Sequence, residues 1–319
     1  MTEPRSLVPP QLSGTVVTVG TFDGVHRGHQ YVLARLRERG AALGLPTLVV
    51  TFEPHPLEVI RPSDAPLRLT VRLEKLLALA ACGVDYVAQI PFTPAFRALS
   101  AEAFIRDLLV SRYGMRALLL GHDHHFGRGR EGDPALVRAI ARRAGFAFEV
   151  VEALALPSGD RLSSSVIRDA VASGDLVRAA RGLGRRYEAV GRVTGGHGRG
   201  RLLGFPTINL ALPSSRKLLP PVGVYAARVV SAAGTFGGMM NLGPRPTFGD
   251  DTVALEVHLF DAGGDWHDRP VAVEFVARLR DTMKFSGPDA LAAQLKSDAE
   301  NARRALTEVL SPDTLIGSG

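Results

Sequence analysis

The sequence predicts an α/β part followed by an all-β part: a parallel sheet wrapped by helices, then an antiparallel barrel or sandwich with a terminal helix. Three observations predict it. Strand-like and helix-like segments alternate from Thr15 to about Gly184, as they do where parallel strands need helical crossovers. After Gly184 the segments become short, β-rich and separated by Gly, Pro and Asp turns. From Pro288 an apolar helical stripe returns.

In the first part the strand-like segments are 15–21, 46–52, 84–91, 115–121 and 146–152. Each is rich in β-branched or large apolar residues, which suit a pleated buried surface. The helical segments are about 27–43, 70–82, 100–113, 133–145 and 164–183. Thr70 and Ser100 stand where N-caps belong, and Pro134 stands in a first turn, where its missing N–H costs nothing. The second part offers strands at 187–194, 222–231, 235–242, 253–261 and 270–280. A helix over 288–310 carries Leu291, Leu295, Ala299, Ala302 and Leu306 on one stripe, able to dock on the β part. The predicted domains are therefore 1–184 and 185–319, with the boundary in RGLGRRY.

The bulk composition narrows the function classes. At 319 residues, 45% of them hydrophobic, the chain has enough apolar material for two cores. One cysteine, Cys82, excludes an internal disulfide framework and fits a reducing cytoplasm. No apolar stretch approaches the ~20 residues that span a bilayer. The opening MTEPRSLVPP lacks an apolar signal core, and SPDTLIGSG reads as a frayed tail. The net charge is +6, but the basic residues are spread along the chain and aromatics make up only 6%. Single-strand binding would want cations beside stacking platforms. Phosphorylated small molecules explain the bias, and neither nucleic acid nor membrane is an expected partner. The sequence sets no oligomeric state.

The chemistry gathers just after strands, where open α/β sheets bind ligands. In TVVTVGTFDGVHRGHQ a β-branched run empties into Gly20, Phe22, Asp23 and Gly24, and His26-x-Gly28-His29 opens a helix. Unpaired first-turn amides and the positive helix end favour an anion there, by about 0.3–1 kcal/mol at exposed sites. His26 and His29, three apart, share a face of that turn, and Gly28 lets phosphates approach the backbone. Ser163, Ser164 and Ser165, with Arg168 one turn along, form a second phosphate clamp. Taken alone, a capping serine and a solvated arginine explain that segment more plainly. Asp123, in GHDHHFG, is placed to bind a nucleotide hydroxyl or a metal, or to make an ordinary polar turn.

The second part carries another set. GRVTGGHGRGR is a glycine–arginine loop whose amides at Gly195, Gly198 and Gly200 could wrap a polyphosphate, with Gly204 following. A flexible hairpin loop is the commoner meaning of such a stretch. Thr207 and Asn209 alternate on a strand and so present two hard oxygen donors to one side, suited to Mg²⁺. Glu256 lies in LEVHLFD among apolar strand residues, where a carboxylate is out of place unless it works. It is the candidate base for deprotonating an alcohol.

These motifs together resemble the prokaryotic bifunctional riboflavin kinase/FAD synthetase family. TVGTFDGVHRGHQ, TFEPHP, GHDHHFGRGREGD and RLSSSVIRDAVASGDL follow the order of its first module; GRVTGGHGRGRLLGFPTINL, PPVGVYAARV, NLGPRPTF, LEVHLFD and RLRDTMKF follow its second. The resemblance spans about residues 14–305. It implies a Rossmann-like nucleotidyltransferase domain that joins AMP from ATP to FMN, and a compact six-stranded barrel that phosphorylates riboflavin. It makes His26 and His29 the phosphate pair, puts Ser164, Ser165 and Arg168 on the triphosphate, and brings Phe52, His55 and Pro56 close to the flavin. In the barrel it makes Thr207 and Asn209 ligands of Mg²⁺ with ATP, and makes Glu256 the activator of the riboflavin 5′-hydroxyl. Arg280 and Lys284 then lie in a segment that closes near the flavin. The chain departs from the family in having His124 where an aromatic is usual and Ser165 where Thr is frequent.

Two other readings compete. His26, His29, His55, His122, His124 and His125 could gather zinc in a metal-dependent hydrolase. Alternatively, both parts could bind flavin without turnover, as a sensor.

Overall fold

A computed structural model of the chain describes residues 12–122, 126–154, 162–195, 200, 203–244 and 253–308. Asp123, His124, His125 and Gly198, singled out above, lie outside the described residues. The chain divides into two compact units, Thr2–Ser164 and Ser165–Gly319. That division falls upstream of the boundary expected at 184/185, so the helices after Ser164 group with the barrel's unit.

The first unit is built in the order β1 (Thr15–Val19), α1 (Arg27–Leu43), β2 (Thr47–Glu53), α2 (Pro56–Ile60), α3 (Arg72–Ala81), β3 (Tyr86–Pro91), α4 (Pro94–Arg97), α5 (Ala101–Ala103), β4 (Met115–Gly121), α6 (Pro134–Ala144) and β5 (Ala147–Val151). Its five strands run parallel in the order β3-β2-β1-β4-β5. The chain winds outward from β1 to β3, then crosses back to β4. Strand order therefore reverses between β1 and β4, where ligands of such sheets bind.

Side chains alternate across the sheet, so neighbouring residues of one strand feed different cores. Val17 and Val19, with Leu48, Val50, Leu118 and Leu120, pack on one face against Ile105, Leu109, Val137 and Ile140. Val16, Val49 and Leu119 pack on the other against Leu33 and Leu36 of α1 and Leu76 and Leu79 of α3. Each fully buried leucine of this kind contributes about 1.5–3 kcal/mol.

Local chemistry sets the helix ends, with two departures from expectation. Ser100 does cap α5, its Oγ accepting from the Ala103 amide. Thr70 does not cap α3; its hydroxyl serves Gly24 and Asp23, and Glu74 instead accepts from the Val71 amide. The segment expected as one helix over 100–113 continues beyond α5 as a π-wound stretch, Phe104–Arg112.

The second unit begins at Ser165 inside α7 (Ser164–Ser173) and continues with α8 (Leu176–Leu183), where one helix over 164–183 was expected. Gly174 takes a φ of +82°, which ends the first helix, and Asp175 caps the second by accepting from Arg178.

The barrel follows: β6 (Glu188–Thr194), β7 (Ile208–Ala211), β8 (Gly223–Ser231), β9 (Gly234–Pro244), β10 (Val253–Leu259) and β11 (Pro270–Arg280). Its order is β10-β7-β6-β11-β8-β9, closed and antiparallel throughout. Closure removes free strand edges. Only four residues long, β7 is the strand that periodicity alone did not separate. The terminal helix α9 (Pro288–Glu308) lays Leu295, Ala299, Ala302 and Leu306 against Ala226, Met239 and Phe260.

Candidate functional site

In the first unit the site starts where β1 ends. Three residues of the turn into α1 have positive φ: Phe22 (+49°), Gly24 (+83°) and Val25 (+42°). Two of them are not glycine, and such backbone costs of order 1–3 kcal/mol each unless its surroundings fix it. Burial fixes it here, since Phe22 and Val25 are 3% and 0% exposed. Gly20 is needed because a Cβ there would come within 2.9 Å of the Phe22 ring.

The turn delivers His26 as the N-cap of α1. Its Nδ1 accepts from the His29 amide at 3.4 Å, so in that arrangement Nε2 is the nitrogen carrying the proton. The His26 and His29 rings stack with centroids 3.6 Å apart, and Phe22 meets His29 edge-on at 5.2 Å. Gly28 makes room for this pair: a Cβ there would lie 3.2 Å from the His26 ring. The Arg27 and Gly28 amides belong to a first turn that has no acceptor within the helix. Two imidazoles and two amides thus converge at a positive helix end.

Asp23 is 2% exposed, and its carboxylate accepts from the Leu69 and Thr70 amides at 3.2 and 3.0 Å. Its carbonyl oxygen accepts from the Ser164 hydroxyl at 2.9 Å. The residue therefore ties the turn to the segment before α3 and to Ser164, all within the first unit. Ser163 is half-buried. Further along α7, Arg168 donates to the Ser165 hydroxyl at 3.3 Å, one turn away.

At the end of β2 the TFEPHP segment holds the other expected residues. Phe52 is 6% exposed, and its ring packs on Phe92 and Phe96 at 5.6 and 5.7 Å. His55 caps α2, Nδ1 accepting from the Leu57 amide at 3.1 Å, and Pro56 takes the first helical position. Burial, and then the Arg68 cation, lower the His55 pKa from 6.5 to about 4. The imidazole is therefore neutral near pH 7, as its acceptor role demands.

A charged network that sequence reasoning missed lies beneath this segment. Arg68 reaches Glu53 and Glu58 at 3.1 and 3.2 Å, and Lys75 donates to the Phe52 carbonyl at 2.8 Å. Both cations are buried. Burial, and then Arg68, lower the Lys75 pKa to about 8 against the pull of Glu53. Burial also works against the charge of Arg68, but Glu53, Asp23 and Glu58 together raise its pKa. One signal was available: Lys75 sits beside Leu76 and Leu79 on the buried stripe of α3, where a lysine is out of pattern.

In the barrel unit, Glu256 on β10 stands opposite Asn209 of β7 on one side and opposite Asn241 of β9 on the other. Residues paired in this way point to one face. Its neighbours Leu255 and Val257 are buried on the opposite face, so a carboxylate and two amides form a polar row. Asn209 is 7% exposed, and Thr207, just before β7, is exposed. The Glu256 carboxylate is half-buried and has no hydrogen-bond or ion-pair partner among the described residues.

Around this row the loop glycines divide. A Cβ at Gly200 would lie 2.2 Å from the Phe205 carbonyl oxygen, and Gly204 has a φ of +82°, whereas a side chain at Gly195 would meet open space.

Arg280 is held by the terminal helix. Its guanidinium grips Asp298 of α9 at 2.6–3.1 Å, and Gln294 donates to the same carboxylate. Lys284 lies exposed in the segment after β11.

Residues 8–166 match the FAD synthetase family and residues 183–306 the riboflavin kinase family. The chain is also 41% identical over 291 residues to the bifunctional riboflavin kinase/FMN adenylyltransferase of Escherichia coli K12, covering 91% of this chain and 92% of that protein. The chain belongs to this bifunctional family. The Pseudomonas fluorescens enzyme of the same name is 41% identical over 295 residues, with coverage of 92% and 94%.

A crystal structure described as a macrolide-efflux protein from Streptococcus pneumoniae shares the fold, with a TM-score of 0.79 at 28% identity over 95% of this chain and 97% of that one. Among the described residues no helix is long and apolar enough to cross a membrane. The two family matches stop at 166 and resume at 183, leaving the body of α7 and α8 between them. Among the described residues no three of His, Cys, Asp or Glu group as a metal cluster, so His26, His29, His55 and His122 lack the zinc arrangement of the hydrolase reading.

Proposed function

We infer that this chain makes FAD from riboflavin in two ATP-dependent steps: riboflavin and ATP give FMN and ADP, then FMN and ATP give FAD and pyrophosphate. Membership of the bifunctional family along more than nine-tenths of the chain carries this reading. The first unit is assigned adenylyl transfer and the barrel is assigned the kinase step.

For the kinase step, Glu256 accepts the proton of the riboflavin 5′-hydroxyl as that oxygen attacks the γ-phosphorus of ATP and ADP departs. Its placement between two amides, with no cation paired to it among the described residues, supports that role. Asn209 and Thr207 supply an amide and a hydroxyl oxygen, a hard donor set that fits Mg²⁺ carried by ATP. Such an ion neutralises charge on the transferring phosphoryl group when bound. The Gly195–Gly204 loop is assigned to the phosphates, and Lys284 to the flavin side.

For adenylyl transfer, an FMN phosphate oxygen attacks the α-phosphorus of a second ATP and pyrophosphate leaves. A phosphate monoester with a second pKa of about 6 is already largely dianionic at neutral pH, so this step needs no general base. It needs donors where charge develops. His26 Nε2, His29 and the first amides of α1 are assigned that task, with Ser163, Ser164, Ser165 and Arg168 on the pyrophosphate side. Asp23 shapes the turn, while Phe52, His55 and Pro56 border the flavin. A single free cysteine and the absence of a spanning helix among the described residues fit a cytoplasmic setting.

Isotope placement tests the scheme. With riboflavin as acceptor, label from the γ-phosphate of ATP enters FMN, and label from the α-phosphate enters only FAD. Label from the α-phosphate appearing in free AMP with no FAD formed would remove the second step.

A further inference from the structure

Among the described residues, Lys75 and Arg68 are the most deeply buried cations that the chemistry above leaves unused, with side chains 1% and 4% exposed. They stand between the two loops the first unit must hold together. Lys75 fixes the Phe52 carbonyl and lies 3.6 Å from Glu53; Arg68 bridges Glu53 and Glu58. The residues next to Arg68, Leu69 and Thr70, give their amides to Asp23 of the phosphate turn, and the Gly24 amide donates to the Thr70 hydroxyl at 2.9 Å. A continuous polar chain therefore runs from the flavin-side loop to the turn that ends in His26.

Ion pairs of this depth are poor stabilisers, since apolar side chains of similar volume are often as good or better. Arg68 even keeps its Nε buried with no acceptor among the described residues. What a charged bracket provides and grease does not is a fixed register between two segments. Transfer between a bound FMN and a bound ATP depends on that register, because a displacement of about 1 Å can cost on the order of 100-fold in rate.

We propose that Arg68 and Lys75 are positioning residues for adenylyl transfer, holding the Phe52–Pro56 loop in register with the His26 turn. This rests on the assignment of that reaction to the first unit. It makes Lys75 a determinant of turnover with little effect on how tightly either substrate binds.

The test uses the full-length chain and measures FMN-to-FAD turnover, KM for FMN and for ATP, and riboflavin kinase turnover in the same preparations. Lys75→Met lowers adenylyl-transfer kcat about tenfold, leaves both KM values within threefold and spares the kinase; Lys75→Arg recovers part of the loss. Glu58→Gln, which unhooks Arg68 at a carboxylate less deeply buried than Lys75, gives the same pattern with a fall of at least threefold and decides the matter if Lys75→Met does not fold. A fall of less than threefold in the folded variants, or an equal fall in both activities, overturns the proposal. Wild-type protein that makes FMN but no FAD would instead defeat the underlying assignment.

Discussion

Glu256 pairs directly across the sheet with Asn209, so the candidate base and a candidate ligand of the nucleotide's cation share one face of the barrel wall. In the proposed kinase step that register puts the proton acceptor and the donor to the nucleotide's cation in one rigid element, not in a loop. Glu256→Gln keeps shape and hydrogen bonding but removes the proton acceptor. FMN formation should fall by 10²–10⁴-fold, the usual worth of a general base, while FMN-to-FAD conversion persists. Separate assays with riboflavin and with FMN check this, and a joint loss in a folded variant contradicts the division of labour.

Gly28 offers the converse test in the first unit. Its missing Cβ leaves 3.2 Å to the His26 ring, so Gly28→Ala must move the imidazole by a few tenths of an ångström. Adenylyl-transfer kcat should fall several-fold, with the kinase step and thermal stability nearly unchanged. An unchanged FAD rate would mean that the His26 ring position does not matter.

His55 gives the first unit a pH dependence. Its folded pKa of about 4 lies below the ordinary 6.5, because burial and then Arg68 oppose a second ring proton. Between these values the unfolded chain binds a proton that the folded chain refuses, so stability rises with pH there. The contribution is present above pH 6.5 and is lost as pH falls towards 4, a shift worth about 3 kcal/mol. His55→Asn keeps an acceptor for the Leu57 amide without the titration. Urea unfolding of both proteins from pH 4 to 7, followed by circular dichroism, should show a shallower slope for the variant; equal slopes contradict the assignment.

Asp298 anchors the terminal helix to the barrel. Its side chain is 2% exposed and takes a forked contact from Arg280. Asp298→Asn leaves that guanidinium without a counter-charge and should cost about 3 kcal/mol. Trp266, the only tryptophan of the chain, packs on Phe236 in the same unit, so its fluorescence reports this unfolding directly. A midpoint shift of under 0.5 kcal/mol equivalent would contradict the reading of the pair as an anchor.

How much of this could be read from the sequence follows from the range of each interaction. The β-branched run before Gly20, the capping His26 and the alternation of strand and helix are local signals, and strands of both parts stand within a few residues of their expected places. The break at Gly174 was also local, yet flanking helix-formers masked it. The Arg68–Lys75 network was illegible because its partners are 10 to 47 residues apart in the chain. No periodicity reports such contacts. The Arg280–Asp298 pair was illegible too, because its carboxylate sits on a helix whose docking only the fold reveals. The β7 strand, at four residues, is too short for alternation to mark.

A time course of flavin species by chromatography, from purified protein with riboflavin, ATP and Mg²⁺, tests the central claim most directly. The account predicts that FMN rises first and then declines as FAD accumulates. Riboflavin that stays unconverted, or FMN that accumulates with no FAD, would contradict it.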